Sequence, residues 1–243
     1  MTLHTLPARR SSRGRPAIRA VLWDIDGTLM DSEPWHQRAT IAECRAHGYD
    51  LTDAEYAATL GIAFPEFYAR LHAVRPMPVT FQAWADAITD RYIEWLDQVS
   101  PRDGAFALVE AFAAKGLRQA CVSNSGRRVV EANLRAMSLP HFEFAVSRDD
   151  VANGKPAPDP YLLAAERLGV SPLACAVIED SPTGARAAKA AGMLTVAWPQ
   201  HTHLVFEAAD HVVTHPGEID WDTLCAITGD EGAGDEGERL AAD

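Results

Sequence analysis

Apolar residues fall along this chain in two textures. From Ala20 to Trp23 every residue is apolar, which fits a strand covered on both faces rather than one with a wetted side. That run leads straight into Asp24-Ile25-Asp26-Gly27-Thr28. Between residue 33 and about residue 100 no comparable run recurs, and apolar positions return at helical spacing instead. The clearest case follows Thr80, a residue type suited to a helix N-cap, and sets Phe81, Trp84, Ile88, Tyr92, Trp95 and Val99 on one face. An aromatic stripe of this kind reads as core.

From Asp103 onward helix and strand alternate. Asp103-Gly104 opens a helix that stops at Gly116, 117–122 reads as a strand, and 125–137 reads as a helix with Ser125 at its cap. A strand over 144–146 follows. Asp159 and Pro160 read as the N-cap and first position of a helix ending at Gly169, and 176–178 as a strand. Ser181-Pro182 caps a helix ending at Gly192, and 194–197 and 211–213 are the last strands. Such alternation implies the α/β class, a doubly wound parallel sheet with helices on both faces. The helical stretch is then an insertion after the first strand. The expected organisation is a core of residues 19–31 and 101–228, an α-helical cap of 32–100, and two disordered ends. These ends are a basic arm, 1–18, and an acidic Gly-rich tail, 229–243.

In open parallel sheets ligands bind outside the carboxyl ends of the strands. Asp24, Ser123 and the pair Glu179-Asp180 each stand at such an end, and Lys155 follows the 144–146 strand by a short loop. Carboxylates at i and i+2 point to the same side of an extended backbone, so Asp24 and Asp26 repel unless a cation sits between them. A divalent ion would leave Asp24 ionised as a nucleophile and Asp26 as general acid and base. Each feature also has a plainer reading. Asp and Gly suit any strand-to-turn boundary, Glu179-Asp180 suits a helix N-terminus, Ser123-Asn124-Ser125 suits a capping cluster, and Lys155 suits a solvated loop. The last reading is weakened by scarcity, because the chain has only three lysines.

Taken in order, Asp24-Ile25-Asp26-Gly27-Thr28, Cys121-Val122-Ser123-Asn124-Ser125, Gly154-Lys155-Pro156-Ala157-Pro158-Asp159-Pro160 and Val177-Ile178-Glu179-Asp180-Ser181-Pro182 carry a resemblance. The chain resembles the haloacid dehalogenase superfamily over about residues 19–228, in the branch related to phosphoglycolate phosphatase and β-phosphoglucomutase. The resemblance implies a Rossmann-like core with a cap. It implies attack on phosphorus by Asp24, acid–base work by Asp26, and a phosphoryl group held by Ser123, Asn124 and Lys155. Mg²⁺ would be bound by Asp24, Glu179, Asp180 and the backbone carbonyl of Asp26. His36, in Asp31-Ser32-Glu33-Pro34-Trp35-His36, matches a flap position that faces the site in relatives; a partly buried structural histidine fits it as well.

The activity so implied is Mg²⁺-dependent hydrolysis of a small, sugar-phosphate-like phosphomonoester through an aspartyl-phosphate. Dehalogenases of the family lack the second aspartate, and its phosphonatases use a cap lysine that residues 32–100 do not contain. A sugar phosphomutase remains the alternative. Its cap arginine after a glycine has no counterpart in Gly61-Ile62-Ala63-Phe64, although Arg70 and Arg75 lie further on. A non-enzymatic receiver module is a minor alternative, and its phospho-acceptor is not the first Asp of such a motif. Specificity is expected from the cap, through Phe64 and His36, with a preference for one phosphate over two.

Composition bounds the partners. A net charge of −12 over 243 residues argues against nucleic acid. No apolar run reaches the roughly 18 residues of a membrane span. Cys44, Cys121, Cys175 and Cys225 have neither metal-ligand nor disulfide spacing, and the arginines of the arm lack the apolar stretch of a secretory signal. A small phosphorylated metabolite in a reducing cytoplasm is the expected setting.

Overall fold

A computed structural model describes residues 15–59, 62, 64–201 and 203–228. The 229–243 tail, most of the 1–18 arm, and Gly61 and Ala63 lie outside the described residues. Strand β1 (Ala20–Trp23) is wholly buried and central, pairing in parallel with β2 (Arg118–Val122) on one side. Beyond β2 lies β3 (Ala145–Val146). On the other side of β1 lies β4 (Cys175–Glu179), then β5 (Leu194–Ala197) and β6 (His211–Val212). The order is β3-β2-β1-β4-β5-β6, every pairing is parallel, and the direction of chain progress reverses between β1 and β4. That reversal opens a crevice at the carboxyl ends of those two strands.

Between β1 and residue 100 the described elements are helical: α1 (Glu33–Ala46), α2 (Asp53–Ala57), α3 (Phe64–Val74), α4 (Phe81–Glu94) and a single 3-10 turn at Leu96–Gln98. The remaining helices are α5 (Ala105–Ala114), α6 (Arg127–Met137), α7 (Asp159–Leu168), α8 (Pro182–Ala190) and α9 (Trp221–Thr228). Strand side chains alternate between two apolar layers, as a period of two requires. Val21, Trp23, Cys121, Ala176 and Ile178 pack with Val109 and Phe112 of α5 and Val129 and Val130 of α6. Leu22, Ala120, Val122 and Val177 pack with Tyr161 and Leu168 of α7 and Ala187 and Ala188 of α8. The first layer continues without a break into the inserted helices through Trp84, Ile88 and Tyr92.

Thr80 caps α4 by accepting the Ala83 N–H, and Ser181 caps α8 through Gly184, as their sequence positions predict. Two caps differ from expectation. Helix α6 starts at Arg127, after Gly126, and its free Arg127 N–H is taken by Asp149 Oδ2 at 2.8 Å from a distant loop. The Ser125 hydroxyl is thereby released for another partner. Helix α7 starts at Asp159 itself, whose carboxylate accepts from Asn153 rather than closing the helix end.

The two connections between the insertion and the sheet run side by side. Met30 bridges Pro101 in antiparallel fashion, Asp31 N–H donates to Ser100 O at 2.9 Å, and Arg102 N–H donates to Leu29 O at 2.9 Å.

Trp84 anchors the inserted helices: it is unexposed, and its ring lies 4.8 Å from Phe64, 5.8 Å from Phe67 and 5.6 Å from Tyr68. Trp84→Ala is expected to lower stability by about 3–5 kcal/mol. Urea denaturation with an unchanged slope measures it; a loss below about 1 kcal/mol would show that this cluster does not hold the helices together.

Candidate active site

Register puts the acids together. Trp23 of β1 stands opposite Ile178 of β4, and the Asp24 N–H donates to Ile178 O at 3.1 Å, so Asp24 and Glu179 leave the sheet side by side. Lys155 reaches them from the loop before α7. Its Nζ donates to Asp24 Oδ1 at 2.6 Å, to Glu179 Oε1 at 2.6 Å and to Val122 O at 2.9 Å. All three hydrogens of the ammonium are used, and the residue is buried. Burial alone would lower the Lys155 pKa, but the Asp24 and Glu179 carboxylates outweigh it and hold it above its ordinary value.

Glu179 is fully enclosed. Oε1 also accepts from Tyr161 Oη at 2.7 Å, and Oε2 accepts from the Ser181 N–H and hydroxyl at 3.2 and 3.0 Å. Helix α8 approaches so closely that a Cβ on Gly184 would stand 1.6 Å from Glu179 Oε1. Asp180 is held more loosely, its Oδ1 accepting from the Thr28 hydroxyl at 3.4 Å. Gly27, at φ 84°, turns the backbone past it, and a Cβ there would sit 2.2 Å from Asp180 Oδ2.

One lysine does not balance these carboxylates. Burial, with Glu179 and Asp180 beside it, pushes Asp24 well above the usual carboxylate range despite Lys155. Burial and Glu179 push Asp180 up to about 8. Asp24, Glu179 and Asp180 each offer an oxygen, and the three lie within 4.8 Å of one another. This all-oxygen, excess-negative donor set fits a hard divalent cation. Glu179 is the least available of the three, since both its oxygens are already engaged.

Asp26 faces away from this cluster. Its Oδ1 accepts from Ser32 Oγ at 2.9 Å and Asn133 Nδ2 at 3.3 Å, and lies 3.2 Å from His36 Nε2. Its Oδ2 accepts from Ser123 Oγ at 3.0 Å and Ser125 Oγ at 2.8 Å. Burial would raise its pKa, but His36, then Ser125 and Ser32, outweigh that and draw it far below the usual range. An ionised carboxylate only accepts, so His36 Nε2 carries a proton. The side chain of Asp26 is thus spoken for, and only its backbone carbonyl is left for a metal.

The other expected residues divide. Ser123 reaches the site but donates to Asp26. The amide of Asn124 pairs with the backbone of Lys155, accepting the Lys155 N–H at 2.9 Å and donating to its carbonyl at 3.3 Å. Both ends of the amide are used, which makes it a bracket for the lysine. His36 contacts Asp26 rather than lining open space. Phe64 packs among Phe67, Phe81 and Trp84. Neither candidate arginine turns to the site: Arg70 pairs with Glu66 at 2.6 Å, and Arg75 donates to Gly48 O. Ser32, Ser125, Asn133 and Tyr161 were not foreseen. Ser125 carries the signal in hindsight, standing two residues after Ser123 at a strand end; Asn133 and Tyr161 sit inside helices with no local mark. Arg102 braces the whole turn, donating to the carbonyls of Gly27, Trp198 and Pro199 and stacking 3.7 Å over the Trp198 ring.

Comparison with known proteins agrees with this geometry. The family model for haloacid dehalogenase-like hydrolases matches residues 18–192. Hexitol phosphatase A of Escherichia coli (strain K12) is 32% identical over 185 residues, covering 74% of this chain and 82% of the relative. Protein SUPPRESSOR OF QUENCHING 1, chloroplastic, of Arabidopsis thaliana is 36% identical over 189 residues, 74% of this chain, which spans only 18% of that longer relative. The crystal structure of CbbY from Rhodobacter sphaeroides in complex with phosphate superposes with a TM-score of 0.76 at 31% identity, covering 83% of this chain and 96% of that one. With the sheet order, the acid-bearing strand ends and the buried lysine in place, the chain belongs to the haloacid dehalogenase-like hydrolases.

Proposed function

We propose that this hydrolase is a phosphatase for small phosphomonoesters of the sugar-phosphate type, working through an aspartyl-phosphate on Asp24 with Mg²⁺ as cofactor. The observation that carries the reading is the separation of two aspartates two residues apart into opposite environments. Asp24 lies against Lys155 at the mouth of the crevice, while Asp26 is wrapped by donors. Carboxyl groups whose surroundings push their proton affinities apart are suited to different roles. The names of hexitol phosphatase A and of the phosphate-bound CbbY support phosphate-ester chemistry.

In this reading Asp24 Oδ attacks phosphorus and displaces the alcohol, which Asp26 protonates with the proton that His36 Nε2 passes to its Oδ1. Asp26 then takes a proton from the water that cleaves the aspartyl-phosphate. Lys155 offers a fixed positive charge to the phosphoryl oxygens, and Glu179 with Asn124 keeps it aimed. Mg²⁺, held by Asp24, Asp180 and the Asp26 carbonyl, would offset the repulsion between the carboxylate and the phosphate. Arg70 and Arg75 are engaged elsewhere, so a second phosphate finds no guanidinium from either. This favours a monophosphate substrate and hydrolysis over mutase chemistry.

Phosphate release from a panel of sugar, polyol and nucleotide monophosphates, with p-nitrophenyl phosphate as a generic substrate, tests the proposal. Repeated turnover with Mg²⁺, lost with excess chelator, is expected; a single labelling event without turnover would point to a receiver instead. Asp24→Asn is expected to abolish turnover and keep the fold, because the amide matches the carboxylate in shape but does not attack. Activity within tenfold of wild type would remove Asp24 as nucleophile.

Gly184→Ala tests the link between packing and chemistry. The added methyl must displace Glu179, and Lys155 loses its anchor. We expect kcat to fall by more than about tenfold, about 1.4 kcal/mol, with α8 still folded by circular dichroism. Unchanged kcat would mean that Lys155 is held by Asp24 and Val122 alone.

A further inference from the structure

We propose that Tyr92 and Asn133 are positioning residues, a buried relay from the inserted helices to the core that orients the carboxylate of Asp26 for proton transfer to the leaving alcohol. The inference rests on the assignment of Asp26 as acid and base, and it concerns side chains far from the four motifs in sequence.

Asn133 is wholly buried on the apolar side of α6, among Val129, Val130, Ala132 and Met137. An amide there is costly unless both of its ends are satisfied, and a leucine of similar size would pack without that cost. Both ends are satisfied by specific partners: Oδ1 accepts from Tyr92 Oη at 2.8 Å, and Nδ2 donates to Asp26 Oδ1 at 3.3 Å. The polarity runs one way. With Nδ2 donating to Asp26 Oδ1 the amide oxygen faces Tyr92, and the phenol donates to it. Without the hydroxyl the amide is free to turn its oxygen toward the carboxylate, replacing a donor with a repelling acceptor.

Tyr92 acts on Asp26 by a second route. Its ring, also unexposed, lies 4.0 Å from the His36 ring at an interplanar angle of 6°, which fixes the imidazole with Nε2 toward Asp26 Oδ1. One side chain of α4 therefore sets two of the three groups at Oδ1, Asn133 from the core and His36 from α1. Ser123 and Ser125 hold Oδ2 from the far side. Removing the phenol hydroxyl disturbs one of the three groups at the first oxygen, while Ser32 and His36 stay there and the second oxygen stays tethered, which twists the carboxylate rather than releasing it.

The test separates positioning from mere support through the leaving group. An alkyl alcohol leaves poorly and needs a proton in the transition state; p-nitrophenolate leaves without one. First-turnover alcohol release, measured by rapid quench with Mg²⁺ present, is compared for p-nitrophenyl phosphate and for the sugar phosphate turned over best in the panel. Asp26→Asn serves as the reference and must slow the sugar phosphate selectively; if it does not, the assignment of Asp26 fails and the relay with it. Tyr92→Phe, which removes only the hydroxyl, is expected to slow the sugar phosphate by about tenfold or more, a size typical of misplaced catalytic groups, and p-nitrophenyl phosphate far less. Asn133→Leu should reproduce this pattern, and the double variant should be no worse than the poorer single one. Equal slowing of both substrates, or no slowing, while Asp26→Asn is selective, would overturn the relay. Should Tyr92→Phe melt more than about 10 °C lower, Asn133→Leu alone decides, since it keeps the core apolar and filled.

Discussion

The ammonium of Lys155 is the point on which this site turns. It neutralises two of the clustered carboxylates, Asp24 and Glu179, directly at 2.6 Å. Pairing charges in a buried place is favourable only when geometry and the remaining hydrogen bonds are complete. Much of the surrounding structure supplies that completeness: Val122 O takes the third ammonium hydrogen, Asn124 clamps the lysine backbone, and Tyr161 and Ser181 fill the remaining positions on Glu179. The glycine of α8 is part of the same arrangement, because any side chain there would occupy the space of the glutamate. The net negative charge left over is what gives the mouth of the crevice a donor set suited to a hard cation.

The skeleton of this arrangement was legible in the sequence because it depends on local rules. An all-apolar run ending in acids marks a central parallel strand and its carboxyl end. Alternating strand and helix fixes the sheet type, and Thr80 and Ser181 announce their helices through capping chemistry. Errors came where a long-range partner replaced a local one. Ser125 looked like the cap of α6, yet Asp149 takes that duty and frees the serine for Asp26. Asn124, expected at the phosphate, has its amide on the backbone of Lys155, a pairing that no local rule announces.

Tyr92 shows the deeper limit. Its place in the aromatic stripe reads as core, and it is core: the ring is unexposed and packs with its neighbours. The periodicity that identifies a buried face carries no information about where one phenolic oxygen points. Asn133 was invisible for a related reason, since a single amide in a helix resembles a surface residue until its neighbours are known. The acids announce themselves by position at strand ends, whereas the groups that contact them are recognisable only in three dimensions.

The paired connections at Met30 and Pro101 carry a separate consequence. About seventy residues leave the sheet and return to it through two segments already hydrogen-bonded to each other, so the strands themselves meet a closed doorway. The entropy of closing such a loop changes slowly with its length, and the bonds at the doorway do not depend on what lies beyond it. Inserts of different size and shape can therefore be seated on the same two residues while the strands keep their register. The doorway thus separates the register of the strands from the shape of the insertion, even though side chains of the insertion reach back to Asp26.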